Sequence, residues 1–125
     1  MATILIVDDS KFSRGRVVQA LSGQPYELAQ AADGQEALKM VDQIHPDLII
    51  TDLLMPVLDG FGLLRGLIER QLQTPTIVIS ADIQATTRAT CRSLGAVAFL
   101  NKPFQPDEVT NAVRNALGAV AEVAR

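Results

Sequence analysis

Asp8, Asp9, Asp52, Ser80 and Lys102 each follow closely on a short apolar run: Ile4-Leu5-Ile6-Val7, Leu48-Ile49-Ile50-Thr51, Ile77-Val78-Ile79 and Val97-Ala98-Phe99-Leu100. Runs of this length and composition read as strands, and a strand buried on both faces must end where an ionised side chain can reach water. If the strands are parallel, their carboxyl ends share one edge, which is where open α/β sheets bind ligands. Carboxylates brought to about 5 Å of one another repel by roughly 3 kcal/mol per pair at an effective dielectric near 20, so a cation is needed to keep all three ionised. Oxygen-only ligands favour a hard ion. Mg2+ fits because it takes few carboxylates, keeps several waters and completes its shell with phosphate oxygens. The formal charges of three aspartates, one lysine and one Mg2+ cancel, leaving a site able to accept a phosphoryl group.

An aspartate with an ordinary pKa near 3.9 is ionised at pH 7 and, unlike serine, needs no general base to attack phosphorus. The sequence supplies no such base, because its one histidine, His45, precedes Pro46 on the amino-terminal side of the central strand and reads as a loop residue. Mg2+ and Lys102 would neutralise charge developing on the equatorial phosphoryl oxygens, and the Ser80 hydroxyl could donate a hydrogen bond to one of them.

The elements that must position these groups alternate along the chain. Ser10 is a natural N-cap for a helix through about Leu21, and Ser22-Gly23-Gln24-Pro25 breaks it. Leu28 to Ala32 forms a weaker strand, after which Asp33 and Glu36 resemble a capping pair for a second helix. The Leu48–Thr51 strand is central. A helix from about Asp59 has Phe61, Leu64 and Ile68 as its expected inward stripe, and Gly60, Gly62 and Gly66 each weaken it by about 1 kcal/mol relative to alanine. The fourth helix, Gln84 to Leu94, contains Thr86, Thr87 and Thr90 and offers only Ala85, Ala89 and Leu94, with Cys91 nearby, as an apolar face. It is expected to be loosely held, with Arg88 and Arg92 on a solvated side. Gly95 closes it. The last helix is the most regular, with Val109, Ala112, Val113, Ala116, Leu117 and Val120 at spacings of three and four. Five strands alternating with five helices imply a doubly wound α/β domain, a parallel sheet covered on both faces through right-handed crossovers.

Composition excludes several classes. The 125 residues suit one domain, 1–125, with no linker, repeat or low-complexity stretch. A net charge of −3 and no Lys/Arg cluster argue against a nucleic-acid partner. No apolar run approaches the ~18 residues of a membrane span, and Met1-Ala2-Thr3 leads straight into a strand rather than a signal core, so no membrane insertion and a cytoplasmic location are expected. Cys91 stands alone and reads as a small packing residue.

Val7-Asp8-Asp9-Ser10, Asp52 with Met55-Pro56 and Asp59-Gly60, Ser80-Ala81, and Lys102-Pro103-Phe104 together resemble the receiver domain of two-component response regulators, over the whole chain and in the family's order and spacing. The resemblance implies a flavodoxin-like sheet of order 2-1-3-4-5. It makes Asp52 the residue phosphorylated by a histidine kinase or phosphotransfer protein. Asp9, Asp52 and the backbone carbonyl of Leu54 would ligate Mg2+ directly, with Asp8 acting mostly through water. Ser80 and Lys102 would contact the phosphoryl group, and the Lys102–Pro103 bond would be cis. Phe99 matches the switch aromatic, expected to turn inward when Ser80 moves. Leu54 and Asp82 occupy the positions that tune phosphoryl lifetime. Such a domain is a signalling phosphoacceptor that assists its own modification, as in single-domain chemotaxis-type regulators, and the fourth helix, fifth strand and fifth helix would change affinity for a separate target protein that the sequence does not identify. That same face could instead make a symmetric homodimer.

Other classes fit less well. A flavin carrier needs a hydroxyl- and glycine-rich phosphate loop where Asp8-Asp9 stand. An aspartate-nucleophile phosphatase wants its nucleophile after the first strand, with a second acid two residues on. A phosphorylation-independent interaction domain of receiver type usually lacks one of the acidic or lysine residues, all present here.

Overall fold

A computed structural model describes residues 1–123, with side-chain surroundings through residue 118. The elements run β1 (Ala2–Val7), α1 (Lys11–Leu21), β2 (Tyr26–Ala31), α2 (Gly34–Ile44), β3 (Leu48–Thr51), α3 (Gly60–Glu69), β4 (Thr76–Ser80), α4 (Ala85–Ser93), β5 (Ala96–Asn101) and α5 (Pro106–Val123). The strands form one parallel sheet in the order β2-β1-β3-β4-β5. This is the doubly wound, flavodoxin-like arrangement expected from the sequence.

The apolar runs are continuous because both faces of the sheet are covered. Ile4, Ile6, Leu48, Ile50, Ile77 and Ile79 pack with Val17 and Leu21 of α1 and Val109 and Val113 of α5. Leu5, Val7 and Ile49 point the other way, onto Leu38 and Val41 of α2 and Leu63 and Leu67 of α3. A third cluster joins Leu53, Leu64, Val78 and Cys91 beneath α4. Each fully buried Leu, Ile or Val contributes about 2 kcal/mol, so β3, with all four residues buried, anchors the sheet. Cys91 is a core residue, as its solitary position suggested.

Helix starts follow the capping chemistry. Ser10 accepts from the Ser13 amide at 3.1 Å, Asp33 from the Glu36 amide at 2.8 Å, and Asp59 from the Gly62 amide at 2.8 Å. Gly95 takes a φ of 99° immediately after α4. His45 is the exposed C-cap of α2 at φ 48°, on the amino-terminal side of β3 and away from the strand ends.

Three packing expectations need correction. β2 begins at Tyr26 rather than Leu28, because it pairs from Ala2↔Tyr26 onward; as a half-exposed edge strand it carries a weak apolar signal. The inward face of α3 is Leu63, Leu64 and Leu67, with Ile68 53% exposed and Phe61 only partly buried. Buried Gly60 and Gly66 sit on that face, and residues without side chains are invisible to a periodicity of apolar residues. In α4 only Cys91 is buried; Ala85 and Ala89 are exposed and Leu94 is half-buried. The α5 stripe is as expected through Leu117, while the Val120 side chain lies outside the described residues.

Candidate functional site

The carboxyl ends of β1, β3, β4 and β5 open on a cavity of about 550 Å³ lined by Asp8, Asp9, Asp52, Leu54, Ser80, Asp82 and Lys102, among others. Parallel pairing puts them together: Ile6↔Ile50 and Val7↔Thr51 align β1 with β3, and Ser80↔Asn101 aligns β4 with β5. The backbone continues these ladders one step further, with the Asp52 amide donating to the Val7 carbonyl at 3.0 Å and the Lys102 amide to the Ser80 carbonyl at 2.9 Å.

Carboxylate oxygens of Asp8, Asp9 and Asp52 lie within 4.8 Å of one another. Lys102 Nζ donates to Asp8 Oδ2 and to Asp52 Oδ2, each at 2.9 Å, and approaches Ser13 Oγ at 3.4 Å. The remaining oxygens are held by the backbone: Asp8 Oδ1 accepts from the Ser10 amide at 2.9 Å and Asp52 Oδ1 from the Leu53 amide at 2.7 Å. Burial alone would lower the Lys102 pKa, but hydrogen bonds and attraction from Asp52 and Asp8 outweigh it and raise the value above the usual 10.5. The lysine is therefore a fixed positive charge at neutral pH. The Lys102–Pro103 bond is cis.

These residues fit a hard divalent ion. The donor set is oxygen only, three carboxylates face a single ammonium, and the exposed Asp9 carboxylate has no hydrogen-bond or ion-pair partner among the described residues. Leu54, 85% exposed, lines the same cavity.

Ser80 is buried, and its Oγ accepts from the Asp82 amide at 3.1 Å. Because a hydroxyl donates as well as accepts, its proton is not consumed by that bond. The Asp82 carboxylate reaches back to α4, accepting from the Gln84 amide at 2.9 Å and the Thr87 hydroxyl at 2.7 Å. Those two donors, the Gln84 amide first, hold its pKa below 3.8. A depressed carboxylate stabilises the fold above its unfolded value, and the contribution is lost as pH falls through the lower folded value. The anchoring of α4 by Asp82 is thus expected to persist down to about pH 3.8 and to fail only below it. A carbon-detected NMR titration of Asp82 with a midpoint at or above 3.8 would contradict this assignment.

Phe99 is half-buried against the Leu53, Leu64, Val78 and Cys91 cluster, with the Arg88 Cζ 5.2 Å from its ring centroid. Arg88 also donates to Asn101 Oδ1 at 3.0 Å, so it is a contact between α4 and β5 and not the purely solvated group expected. Burial, then the Asp82 charge, pushes the Cys91 thiol up, in keeping with an inert packing role.

Asp8, Asp9, Asp52, Leu54, Ser80, Asp82 and Lys102 all line the cavity, whereas Phe99 does not and lies on β5 two residues before Asn101 and three before Lys102. Sequence reasoning missed Arg14, whose guanidinium grips the backbone between the two acidic residues, and it missed the Thr87 and Asn101 contacts. The signal for Arg14 was available: it falls in the first turn of a helix starting directly after Asp8-Asp9, where a long side chain can fold back on the loop.

A doubly wound sheet whose carboxyl edge gathers three aspartates, a hydroxyl and a lysine defines a phosphoacceptor type of α/β domain. The model of the response regulator receiver domain matches residues 4–114, and the chain belongs to that family. It is similar to the probable transcriptional regulator ycf27 of Porphyridium aerugineum, 37% identical over 117 residues that make 94% of this chain and 48% of that protein. It is also similar to Protein CcdB of Bacillus subtilis, 34% identical over 94% of this chain and 99% of that protein. Among solved structures, chemotaxis response regulator CheY4 of Vibrio cholerae superposes with a TM-score of 0.85 at 32% identity, covering 93% of this chain and 98% of that one. The chain spans about half the length or less of several curated relatives it matches. Receiver domains are the signalling phosphoacceptors of two-component systems and bind Mg2+ at an acidic pocket, and this chain has the Asp8, Asp9 and Asp52 cluster for it. Among the described residues no helix is long and apolar enough to cross a membrane.

Proposed function

We propose that residues 1–125 act as one receiver unit in which Asp52 accepts a phosphoryl group from a histidine kinase or phosphotransfer protein in the cytoplasm. The observation that carries this reading is the Lys102 ammonium at 2.9 Å from both Asp52 and Asp8, with Asp9 within reach of the same point. An Asp52 oxygen attacks phosphorus while the bond from phosphorus to the donor's imidazole nitrogen breaks, and the donor ring, already protonated on its other nitrogen, keeps the bonding pair and leaves as neutral histidine. Lys102 and the Ser80 hydroxyl donate to the phosphoryl oxygens, where charge must be held during transfer. Asp9, Asp52 and the Leu54 carbonyl would hold Mg2+, with Asp8 acting through water. The ion would supply charge neutralisation and orientation for the incoming group. No general base is required, since the nucleophile is already ionised.

The domain assists this chemistry, but its product is a signal. An added phosphoryl group of about −2 charge changes the balance around Ser80 and Lys102. Ser80 is tied through Asp82 to Thr87, and Lys102 follows Asn101, which holds Arg88, so both ends of the disturbance reach α4. Phe99 is the switch aromatic in this reading, and α4, β5 and α5 form the surface read by a separate target protein.

The test is intact-protein mass after incubation with acetyl phosphate and Mg2+. A labile gain of one phosphoryl group in the wild type and none in Asp52→Asn is the expected result. No gain in either, and no binding of beryllofluoride, would leave a receiver-type interaction domain that works without phosphorylation.

Lifetime follows from what the cavity wall can offer water. Leu54 has no hydrogen-bonding side chain, and the Asp82 carboxylate is engaged by Gln84 and Thr87. Neither orients an attacking water, so Leu54→Asn is expected to shorten the phosphoryl lifetime by about tenfold, less than the 10²–10⁴ of a true acid or base because an amide orients water without taking its proton. Equal decay rates of phosphoprotein in the two variants would refute this.

A further inference from the structure

We propose that Arg14 is a positioning residue for the acidic pocket, holding the peptide that joins Asp8 to Asp9 so that both carboxylates face one cation. The inference rests on the reading of this pocket as a Mg2+ site.

Arg14 Nη1 donates to the Asp8 carbonyl at 2.6 Å, and its Nε donates to Gln30 Oε1 at 3.0 Å. That carbonyl belongs to the peptide unit between the two acidic residues, so the guanidinium sets the plane from which both side chains depart. Asp8 has further restraints, since its amide donates to Ala31, its Oδ1 accepts from the Ser10 amide and its Oδ2 accepts from Lys102. Asp9 has none on its carboxylate among the described residues, and its placement within 4.8 Å of the others depends on the backbone that Arg14 grips. The grip is itself braced, because Gln30 lies near the end of β2, where Gln30 and Ala31 pair with Ile6 and Val7 of β1. Arg14 thereby clamps the loop after β1 to the neighbouring strand. Its backbone amide separately bonds the Ser10 carbonyl as part of the helix start, a role any residue could fill.

Charge and geometry make opposite predictions. A guanidinium bonded to the Asp8 carbonyl, at the edge of the acidic pocket, repels a divalent cation, so if Arg14 acted only as a charge, its removal would tighten Mg2+ binding. If it acts by positioning, removal weakens binding, as loss of outer partners of metal ligands does by 10- to 100-fold. Arg14→Lys separates the two, because lysine keeps the charge but lacks the planar fork needed to hold a carbonyl and the Gln30 amide together.

The experiment is a Mg2+ titration by calorimetry, with the Asp9 and Ser10 amide shifts followed by NMR, on the wild type, Arg14→Lys, Arg14→Ala and Gln30→Met, each checked by thermal melting. Arg14→Lys and Arg14→Ala are expected to weaken Mg2+ binding about tenfold, and Gln30→Met measurably but by less, through loss of the brace alone. Unchanged affinity in Arg14→Lys, or tighter binding in Arg14→Ala, overturns the inference while leaving the metal reading intact. Should the Arg14 variants not fold, Gln30→Met decides, since it leaves the charge in place and unchanged affinity there also overturns the clamp. A wild type that does not respond to Mg2+ overturns the metal reading and the clamp with it.

Discussion

Lys102→Met is expected to reduce phosphoryl uptake from acetyl phosphate by at least 100-fold while tightening Mg2+ binding several-fold. Among the described residues Lys102 alone forms an ion pair with the carboxylates of Asp8 and Asp52, whose side chains are only 6% and 13% exposed. Without it the two carboxylates face each other and Asp9 unbalanced, so a divalent ion meets a more negative site and is held more tightly. Transfer suffers for the opposite reason. Removing one donor positioned where charge develops in the transition state lowers rates by about 10²–10³. Stability should fall by about 2 kcal/mol without Mg2+, less than the 3–5 typical of breaking a buried ion pair, because the cavity admits water on one side. Saturating Mg2+ should restore more stability to the variant than to the wild type. Phosphorylation kinetics by mass, with thermal melts at two Mg2+ concentrations, measure all three quantities. Undiminished uptake in the variant would remove Lys102 from the chemistry.

Gly60→Ala is expected to destabilise the fold by about 2–3 kcal/mol and to slow phosphorylation of an otherwise intact site. A Cβ at residue 60 would overlap the Asp52 carbonyl oxygen and come within 2.8 Å of the Leu53 Cα, both backbone atoms that cannot swing aside. α3 would have to lift off the end of β3, overpacking of a kind that destabilises by about 1–3 kcal/mol, and the strain would fall on Asp52, the proposed phosphoacceptor. For a chain of this size the melting temperature should drop by about 10 °C. Gly15→Ala is the control. Residue 15 is also helical, but nothing lies within 4 Å of its would-be Cβ, so alanine there should stabilise by about 0.5–1 kcal/mol. Equal effects at the two positions would show that helix propensity, and not the close approach to Asp52, governs residue 60.

The contrast between these glycines marks the division between what local sequence and what packing decides. The strands, their parallel arrangement and the edge at which polar groups collect were legible in the sequence. Both faces of the sheet are covered, so each strand reads as an unbroken apolar run and each run ends where ionised or hydroxyl groups must meet solvent. Asp8, Asp52, Ser80 and Lys102 therefore announced their common location before any coordinates. The strand order came from the receiver-family resemblance, because spacing along the chain does not say which parallel neighbours pair. What tertiary structure alone decided depends on contacts between residues distant in sequence. The inward face of α3 is built partly of glycines chosen for close approach to Asp52 and Leu38, which no apolar periodicity can reveal. α4 buries Cys91 instead of its alanines because β5 and the Leu64 cluster determine which side faces inward. Lys102 meets Asp8 across 94 residues of chain, and Arg14 meets Gln30 across 16. Residue types fixed which chemistry was available, and the pairing of β1, β3, β4 and β5 fixed the distances at which those groups can act together.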